Sequence, residues 1–107
     1  MNCLNSIIIE GTIKEVDKKE TLYGSTLILS IDVSRTYRNA DGENVEEISS
    51  FEVSYSLNHA QVGLLNKFKE GEKIRVVGRL HQIKWTDASG KLCSRVDVIA
   101  EHIEFKC

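Results

Sequence analysis

The sequence has little that would commit it to a membrane or to secretion. Its longest apolar runs, such as Ile7-Ile8-Ile9, are far too short to cross a bilayer. The N-terminus has no basic segment followed by a long apolar one, so no signal peptide is predicted. We therefore expect a cytoplasmic protein with no membrane partner.

Cysteine and histidine are also sparse. Three cysteines, odd in number and without a CxxC pair, favour free thiols over a disulfide framework or a zinc site: Cys3, Cys93 and Cys107. The three histidines are isolated and fit neither a catalytic triad nor an HExxH metal site: His59, His81 and His102. We expect no catalytic residues, no metal and no cofactor, and hence no enzyme.

An excess of basic charge is missing as well. Lysine and arginine number 14 against 16 aspartates and glutamates, so the net charge is −2. The chain as a whole therefore lacks the basic surplus typical of nucleic-acid binding. Its distribution is uneven, because six basic residues between Lys73 and Arg95 face one acid, Asp87. A charged outer strand face explains that run as well as a binding surface does.

Strands dominate what is present. With 107 residues, 41% of them hydrophobic, the chain has the size and composition of a single globular domain spanning residues 1–107. Alternation of apolar and polar residues predicts strands over 5–16, 25–37, 48–57, 73–86 and 91–105. Gly11 indicates a bulge or bend in the first strand, and the stretch Asn39–Gly42 reads as a hairpin turn.

One segment changes period. Asn58, with Gln61 three residues later, has the form of a helix capping box, and Gly71 marks the end of the segment. Three strands, a helix and two strands are the order of an OB-fold. We therefore predict an all-β, five-stranded Greek-key OB-fold barrel, with one short α-helix between strands 3 and 4 and a long β4–β5 hairpin arm. An SH3-like barrel and a plain sandwich are the alternatives.

The single tryptophan lies near the tip of that arm. If the loop takes up the five residues Asp87–Lys91, Trp85 falls opposite Cys93 and Ile83 opposite Arg95, on the face away from a Leu80/Val98 core. Two interpretations follow for an indole on an outward face. It covers a neighbouring loop or a second subunit, or it is a platform on which an unpaired base stacks. The residues alone leave the two even.

A family resemblance favours the second interpretation. The stretch SIDVSRTYRNADGENVEEISSFEV resembles the second hairpin of the bacterial single-stranded-DNA-binding protein family, and KFKEGEKIRVVGRLHQIKWTDASGK resembles its helix exit, fourth strand and arm. NSIIIEGTIKEV and VDVIAEHIEF are similar to its first and last strands, so the likeness covers nearly the whole chain. It implies sequence-independent binding of single-stranded DNA in replication, repair and recombination, in the nucleoid, by a homotetramer or dimer.

The same resemblance implies site residues. The family's base-stacking aromatics fall on Tyr37, Phe51 and Trp85, while a fourth platform falls on Leu57, which offers apolar contact without a π face. For Phe51 a place in the core is the competing explanation. Phosphate contacts are expected from basic residues around these positions: Arg35, Arg38, Lys84, Arg95 and Lys73, with Lys67 and Lys69 as further candidates.

Two departures from the family keep alternatives open. Family members typically carry a tail with an acidic, hydrophobic tip that recruits replication and repair partners, and the last residues, Phe105-Lys106-Cys107, show no such tip. Acidic residues also surround the Phe51 position, among them Glu47 and Glu52. The alternatives are a dimer resembling primosomal replication protein N, which binds DNA and a helicase partner, and an interaction module that has lost its DNA site.

Overall fold

The computed structural model describes residues 3–22 and 24–106. Within them the elements are β1 (Ile7–Thr21), β2 (Gly24–Arg38), β3 (Asn44–Leu57), a 3-10 helix (His59–Lys67), β4 (Lys73–Thr86) and β5 (Leu92–Lys106). The strands close into a barrel in the order β1-β2-β3-β5-β4. Neighbours are antiparallel except β3 and β5, which run parallel. The predicted five-stranded barrel is confirmed.

Alternate side chains of the strands fill the barrel. Leu29 of β2 and Val53 of β3 are cross-strand partners and both are fully buried. The other buried apolar side chains on the strands are Ile13, Leu27, Ile31, Leu57, Ile74, Val76, Val98, Ala100 and Ile103, and Phe68 after the 3-10 helix joins them. Burying each large apolar side chain contributes about 1.5–3 kcal/mol, so this layer is the main source of the barrel's stability.

The bend in β1 is displaced from the predicted position. Its register with β2 shifts between Ile13 and Glu15, so the extra residue is Lys14. Gly11 serves a different purpose, because a Cβ there would lie 2.6 Å from the carbonyl oxygen of Asp32. The glycine therefore allows β2 to approach β1 closely. A bulge and a close approach both select for glycine, so the residue type alone did not separate them.

The helix differs from the prediction in type. The capping box is confirmed: the Asn58 side chain accepts a hydrogen bond from the Gln61 backbone N–H at 3.1 Å, and the Gln61 side chain accepts one from the Asn58 backbone N–H at 3.2 Å. The segment is nevertheless a 3-10 helix, not an α-helix. Gly63 weakens an α-helix by about 1 kcal/mol relative to alanine. The 3-10 form also rises about 2.0 Å per residue against about 1.5 Å, so nine residues span more of the gap from β3 to β4.

Two hairpins extend beyond the barrel. We call residues 34–48 the first arm and residues 79–96 the second arm, and none of the residues in either is buried. The radius of gyration, 16.4 Å, exceeds the roughly 13 Å expected for a compact chain of this length. The position of Leu80 follows from this geometry. It was predicted to join Val98 in the core, but only Val98 is buried, because Leu80 already lies on the arm.

Candidate nucleic-acid interface

Both arms end in the same kind of turn. The first turn is Asn39–Glu43 and the second is Asp87–Lys91, each with an Asx residue first and a positive-φ glycine fourth. In each, the backbone N–H of the Asx residue donates to the carbonyl of the fifth residue, and the glycine N–H donates back to the Asx carbonyl, at 2.9–3.0 Å. Both turns were predicted, including the five-residue length of the second.

Each turn presents an aromatic ring at the same position. Tyr37 lies two residues before Asn39, and Trp85 lies two residues before Asp87. Tyr37 is 39% exposed and Trp85 is 44% exposed. The predicted register is confirmed, since Trp85 pairs with Cys93 and Ile83 with Arg95. Neither Tyr37 nor Trp85 belongs to the core cluster. Both rings lie near the ends of protruding hairpins.

The carboxylate of Asp87 organises the second turn. Its Oδ1 accepts hydrogen bonds from the Ser89 hydroxyl at 2.7 Å and from the backbone N–H groups of Lys91 and Ser89 at 2.9 and 3.0 Å. The Cys93 thiol, directly opposite Trp85, lies 3.8 Å from Oδ2. These contacts, the Ser89 hydroxyl foremost, lower the pKa of Asp87. The charged carboxylate is thus the preferred form, and it fixes the loop that positions the indole.

Cations accompany the two rings unequally. The Arg35 guanidinium lies over the Tyr37 ring at 5.9 Å from its centroid, which places a cation and a π face together on the first arm. Glu47 stands opposite Arg35 across the hairpin. On the second arm Lys84 neighbours Trp85 in sequence, but alternation along the strand points it to the other face.

Arg95 is already paired with carboxylates. Its Nη2 lies 2.9 Å from Asp97 Oδ2, and its Nη1 lies 3.6 Å from Glu52 Oε2. The hydrogen bonds that the Arg95 guanidinium donates to Asp97, and the charges of both acids, raise the pKa of Arg95. Asp97 is only 4% exposed, and its Oδ1 has no hydrogen-bond partner among the described residues. A phosphate that approaches Arg95 therefore competes with two carboxylates already beside it.

Phe51 is partly exposed and borders a concavity. It is 39% exposed and lines a cavity of about 550 Å³ together with Val16, Ile28 and Ser30. Four acidic residues line the same cavity: Glu15, Asp17, Glu52 and Glu70. Phe51 pairs with the buried Ile31, so alternation directs its side chain to the core face of β3, whereas Glu52 and its partner Ser30 share the other face. The acids of the cavity disfavour a phosphate.

The remaining predicted contacts are dispersed. Arg38 and Lys84 are exposed, and among the described residues neither takes part in an ion pair. Lys73 lies at the opposite end of β4 from Trp85, twelve positions or about 40 Å along the strand. Lys67 and Lys69 line a separate cavity with Phe105. The cations thus form no single groove around the indole.

The prediction for Leu57 is wrong. Its side chain is only 2% exposed and belongs to the core cluster. Leu57 is the last residue of β3 and faces inward with Val53, so no base reaches it. A leucine that faces inward is buried because of the hydrophobic effect. The resemblance to the family alone did not show that Leu57 faces inward.

The ion pairs of Arg95 were not predicted. The predicted register already placed Arg95 and Asp97 on one face of the second arm, and the structure confirms that placement. The contact with Glu52 depends on the parallel pairing of β3 with β5, which local sequence patterns do not reveal.

The described residues contain no group of His, Cys, Asp and Glu arranged to hold a metal ion. In the same part of the chain, no helix is long and apolar enough to cross a membrane.

Comparison with known proteins decides the family. Residues 4–106 match the model of the Single-strand binding protein family. The chain belongs to this family. A single-stranded DNA-binding protein of Wolinella succinogenes is 30% identical over 103 residues, which are 94% of this chain and 62% of that protein. This single-strand binding family member therefore spans less than two thirds of that relative's length.

Solved structures confirm the fold of this family member. The Plasmodium falciparum single-strand binding protein, solved in complex with single-stranded DNA, superposes with a TM-score of 0.85 at 19% identity, covering 100% of this chain and 98% of that one. A deletion variant of the single-stranded DNA binding protein from Thermus aquaticus gives a TM-score of 0.80 at 26% identity, covering 96% of this chain and 50% of that one. The barrel and both arms thus belong to a known OB-fold architecture.

Proposed function

We propose that the chain binds single-stranded DNA without sequence preference by stacking unpaired bases on Trp85, Tyr37 and Phe51. The observation that carries this proposal is the matched placement of Tyr37 and Trp85, each two residues before the turn of a protruding arm and each about two fifths exposed. Stacking on an aromatic face tolerates any base, because every base has a π face. Family membership supports the same ligand.

Phosphate contacts come from the arms rather than from a continuous basic groove. Arg35, Arg38 and Lys84 are exposed there, and Arg95 becomes available when a phosphate displaces Glu52. The acids around Phe51 oppose the backbone of the strand, so bases enter that cavity and phosphates stay outside it. We infer modest affinity, since stacking supplies more of the binding than charge does.

The proposal includes self-association and service in replication, repair and recombination. Several apolar side chains stay exposed near the N-terminal part of β1 and on the second arm: Leu4, Ile8, Leu80 and Val96. The Asn5 side chain hydrogen-bonds both the N–H and the C=O of Leu80, which holds this segment against β4. Exposed apolar surface of this kind supports a homo-oligomer, either a dimer or a tetramer. Sedimentation will measure the number of subunits. Replication and repair proteins are the proposed protein partners.

Titration with oligo-dT tests the proposal directly. Trp85 is the only tryptophan, so its fluorescence reports the second arm alone. We expect quenching on addition of oligo-dT and an apparent affinity that falls as salt rises. Duplex DNA of equal length is the control and should leave the signal unchanged, because its bases are already stacked. An unchanged signal with oligo-dT at low salt contradicts the proposal and favours an interaction module.

A further inference from the structure

Three aromatic rings meet at the end of β4 that lies away from the second arm. Phe68 is 5% exposed and touches Tyr55 on one side, with ring centroids 6.0 Å apart at 61°. On the other side its centroid lies 5.0 Å from that of Phe105. Phe105 itself is 37% exposed. Part of its ring is thus fixed against the core while the rest meets solvent, so the ring is held rigid before any ligand arrives.

The exposed part of Phe105 opens into a cavity of about 370 Å³. Its other lining residues are Asn66, Lys67, Lys69 and Glu72. That volume is within the range of about 300–1,000 Å³ typical of small-ligand sites. The cavity around Phe51 has four acids and no basic residue in its lining, whereas this one has two lysines against one acid. A base stacked on Phe105 would therefore have cations beside its phosphates.

The two cavities share a wall. Glu70 lines the Phe51 cavity and its chain neighbour Lys69 lines the Phe105 cavity, so the loop after the 3-10 helix separates them. The loop is anchored to β1, because the Gly71 backbone N–H donates to the Ile13 carbonyl at 2.8 Å. A strand that crosses this loop from the Phe51 cavity to the Phe105 cavity meets Lys69 in the lining of the second.

The Phe51 cavity in turn connects to the second arm. Glu52 lines it and lies 3.6 Å from Arg95, which shares a face with Trp85. A strand that leaves the indole past Arg95 and Glu52 therefore follows this cavity toward the lysine-lined ring. Phe105 pairs with Ile74 of β4. Along that strand, Ile74 is eleven positions, or about 36 Å, from Trp85.

The geometry points to Phe105, flanked by Lys67 and Lys69, as a further base-stacking site for single-stranded DNA that has already engaged the second arm. This inference rests on the proposed function and extends it. A strand too short to reach from Trp85 does not use the site, whereas a longer strand gains one more stacked base. Phe105 therefore sets the length at which affinity rises.

The test measures Trp85 quenching by oligo-dT of graded length, from about 4 to about 16 nucleotides, the range of sites on single OB folds. The variants are Phe105→Leu, which keeps an apolar contact with Phe68 but loses the π face, and the double variant K67Q/K69Q. K18Q/K19Q removes the same charge from β1, outside both cavities. Sedimentation without DNA and chemical denaturation accompany each variant.

We expect Phe105→Leu and K67Q/K69Q to bind the shortest strands like the wild type. Above a threshold length Phe105→Leu binds at least about fivefold more weakly, as the loss of a base-stacking contact implies. K67Q/K69Q also binds more weakly there, because two phosphate contacts are lost, and K18Q/K19Q follows the wild type throughout. Equal binding of Phe105→Leu and wild type at every length overturns the inference. An equal loss of affinity in Phe105→Leu at every length also overturns the inference, as does a sedimentation coefficient of this variant that is changed in the absence of DNA. A wild type that is quenched at no length overturns the proposed function itself.

Discussion

Replacing Glu52 by glutamine should strengthen DNA binding. The Glu52 carboxylate lies 3.6 Å from Nη1 of Arg95 and also lines the cavity beside Phe51. Glutamine keeps the shape of the side chain and removes the charge. Among the described residues Arg95 then keeps Asp97 alone as a charged partner, and the acids around Phe51 fall from four to three. Both changes favour a phosphate.

The magnitude follows from the ion-pair distance. A phosphate at hydrogen-bond distance from Arg95, about 2.8 Å, would lie roughly 6–7 Å from the Glu52 carboxylate. With an effective dielectric constant between about 80 and about 20 and a Debye length of about 10 Å, removing one like charge at that distance strengthens binding roughly two- to tenfold. If Arg95 gains one phosphate, the slope of log K against log salt steepens by about 0.7, the value for a single strand. Folding stability should hardly change, because exposed ion pairs contribute little.

Quench titrations at four or more salt concentrations measure both quantities. Glu101→Gln is the matched control, since it makes the same charge change on exposed β5 outside the Phe51 cavity. It should show neither the tighter binding nor the steeper slope. Equal effects in the two variants would mean that net charge alone matters. Unchanged affinity and slope in Glu52→Gln would refute the view that Glu52 restrains Arg95.

Three further outcomes are expected. Trp85→Ala should weaken single-strand binding by about 1–3 kcal/mol with little change in the denaturation midpoint, because the ring lies outside the core cluster; a variant that unfolds would place the residue in the core. Asp87→Ala should speed amide exchange in the second turn. The pKa of Asp87 in the folded protein lies below its usual 3.8. In the wild type, the stabilisation of the turn by the Asp87 carboxylate is therefore complete above that value and is lost as pH falls through the lowered pKa. A turn whose amides are equally protected from exchange in strong acid would contradict this. Gly78→Ala should destabilise the barrel by more than the roughly 1 kcal/mol of an average substitution, since its Cβ would collide with the Ile99 carbonyl, while Gly63→Ala, with open space around its Cβ, should not lower the denaturation midpoint.

Local chemistry made most of the barrel predictable. Alternating residues in 25–37 matched β2, and the Asx and glycine residues of both turns fixed the hairpin registers. The C-terminal part of β1, residues 17–21, was missed because it has no apolar alternation. Its strand form comes from pairing with β2, down to Thr21 opposite Gly24. Pairing partners are tertiary information, which a local pattern does not contain.

The site was less predictable than the fold for the same reason. The register of the second arm placed Trp85 correctly, because that inference needed only a loop length and a period of two. Leu57 and Arg95 depended on the interior of the closed barrel and on the parallel β3–β5 pairing. Both features arise between segments far apart in sequence, so neither the burial of Leu57 nor the Glu52 carboxylate beside Arg95 was visible locally.

The turns of the two arms share the same hydrogen bonds and the same ring position, so they form a unit that can be transferred to another hairpin. Seven residues, from Tyr37 to Glu43 or from Trp85 to Lys91, hold a ring, one spacer and a loop closed by its own Asx carbonyl and glycine. Nothing in that loop closure uses the barrel, so the cassette should display a ring on any antiparallel hairpin of suitable twist. The spacing from ring to loop is its strict requirement, because one inserted residue would turn the ring to the reverse side of the ribbon.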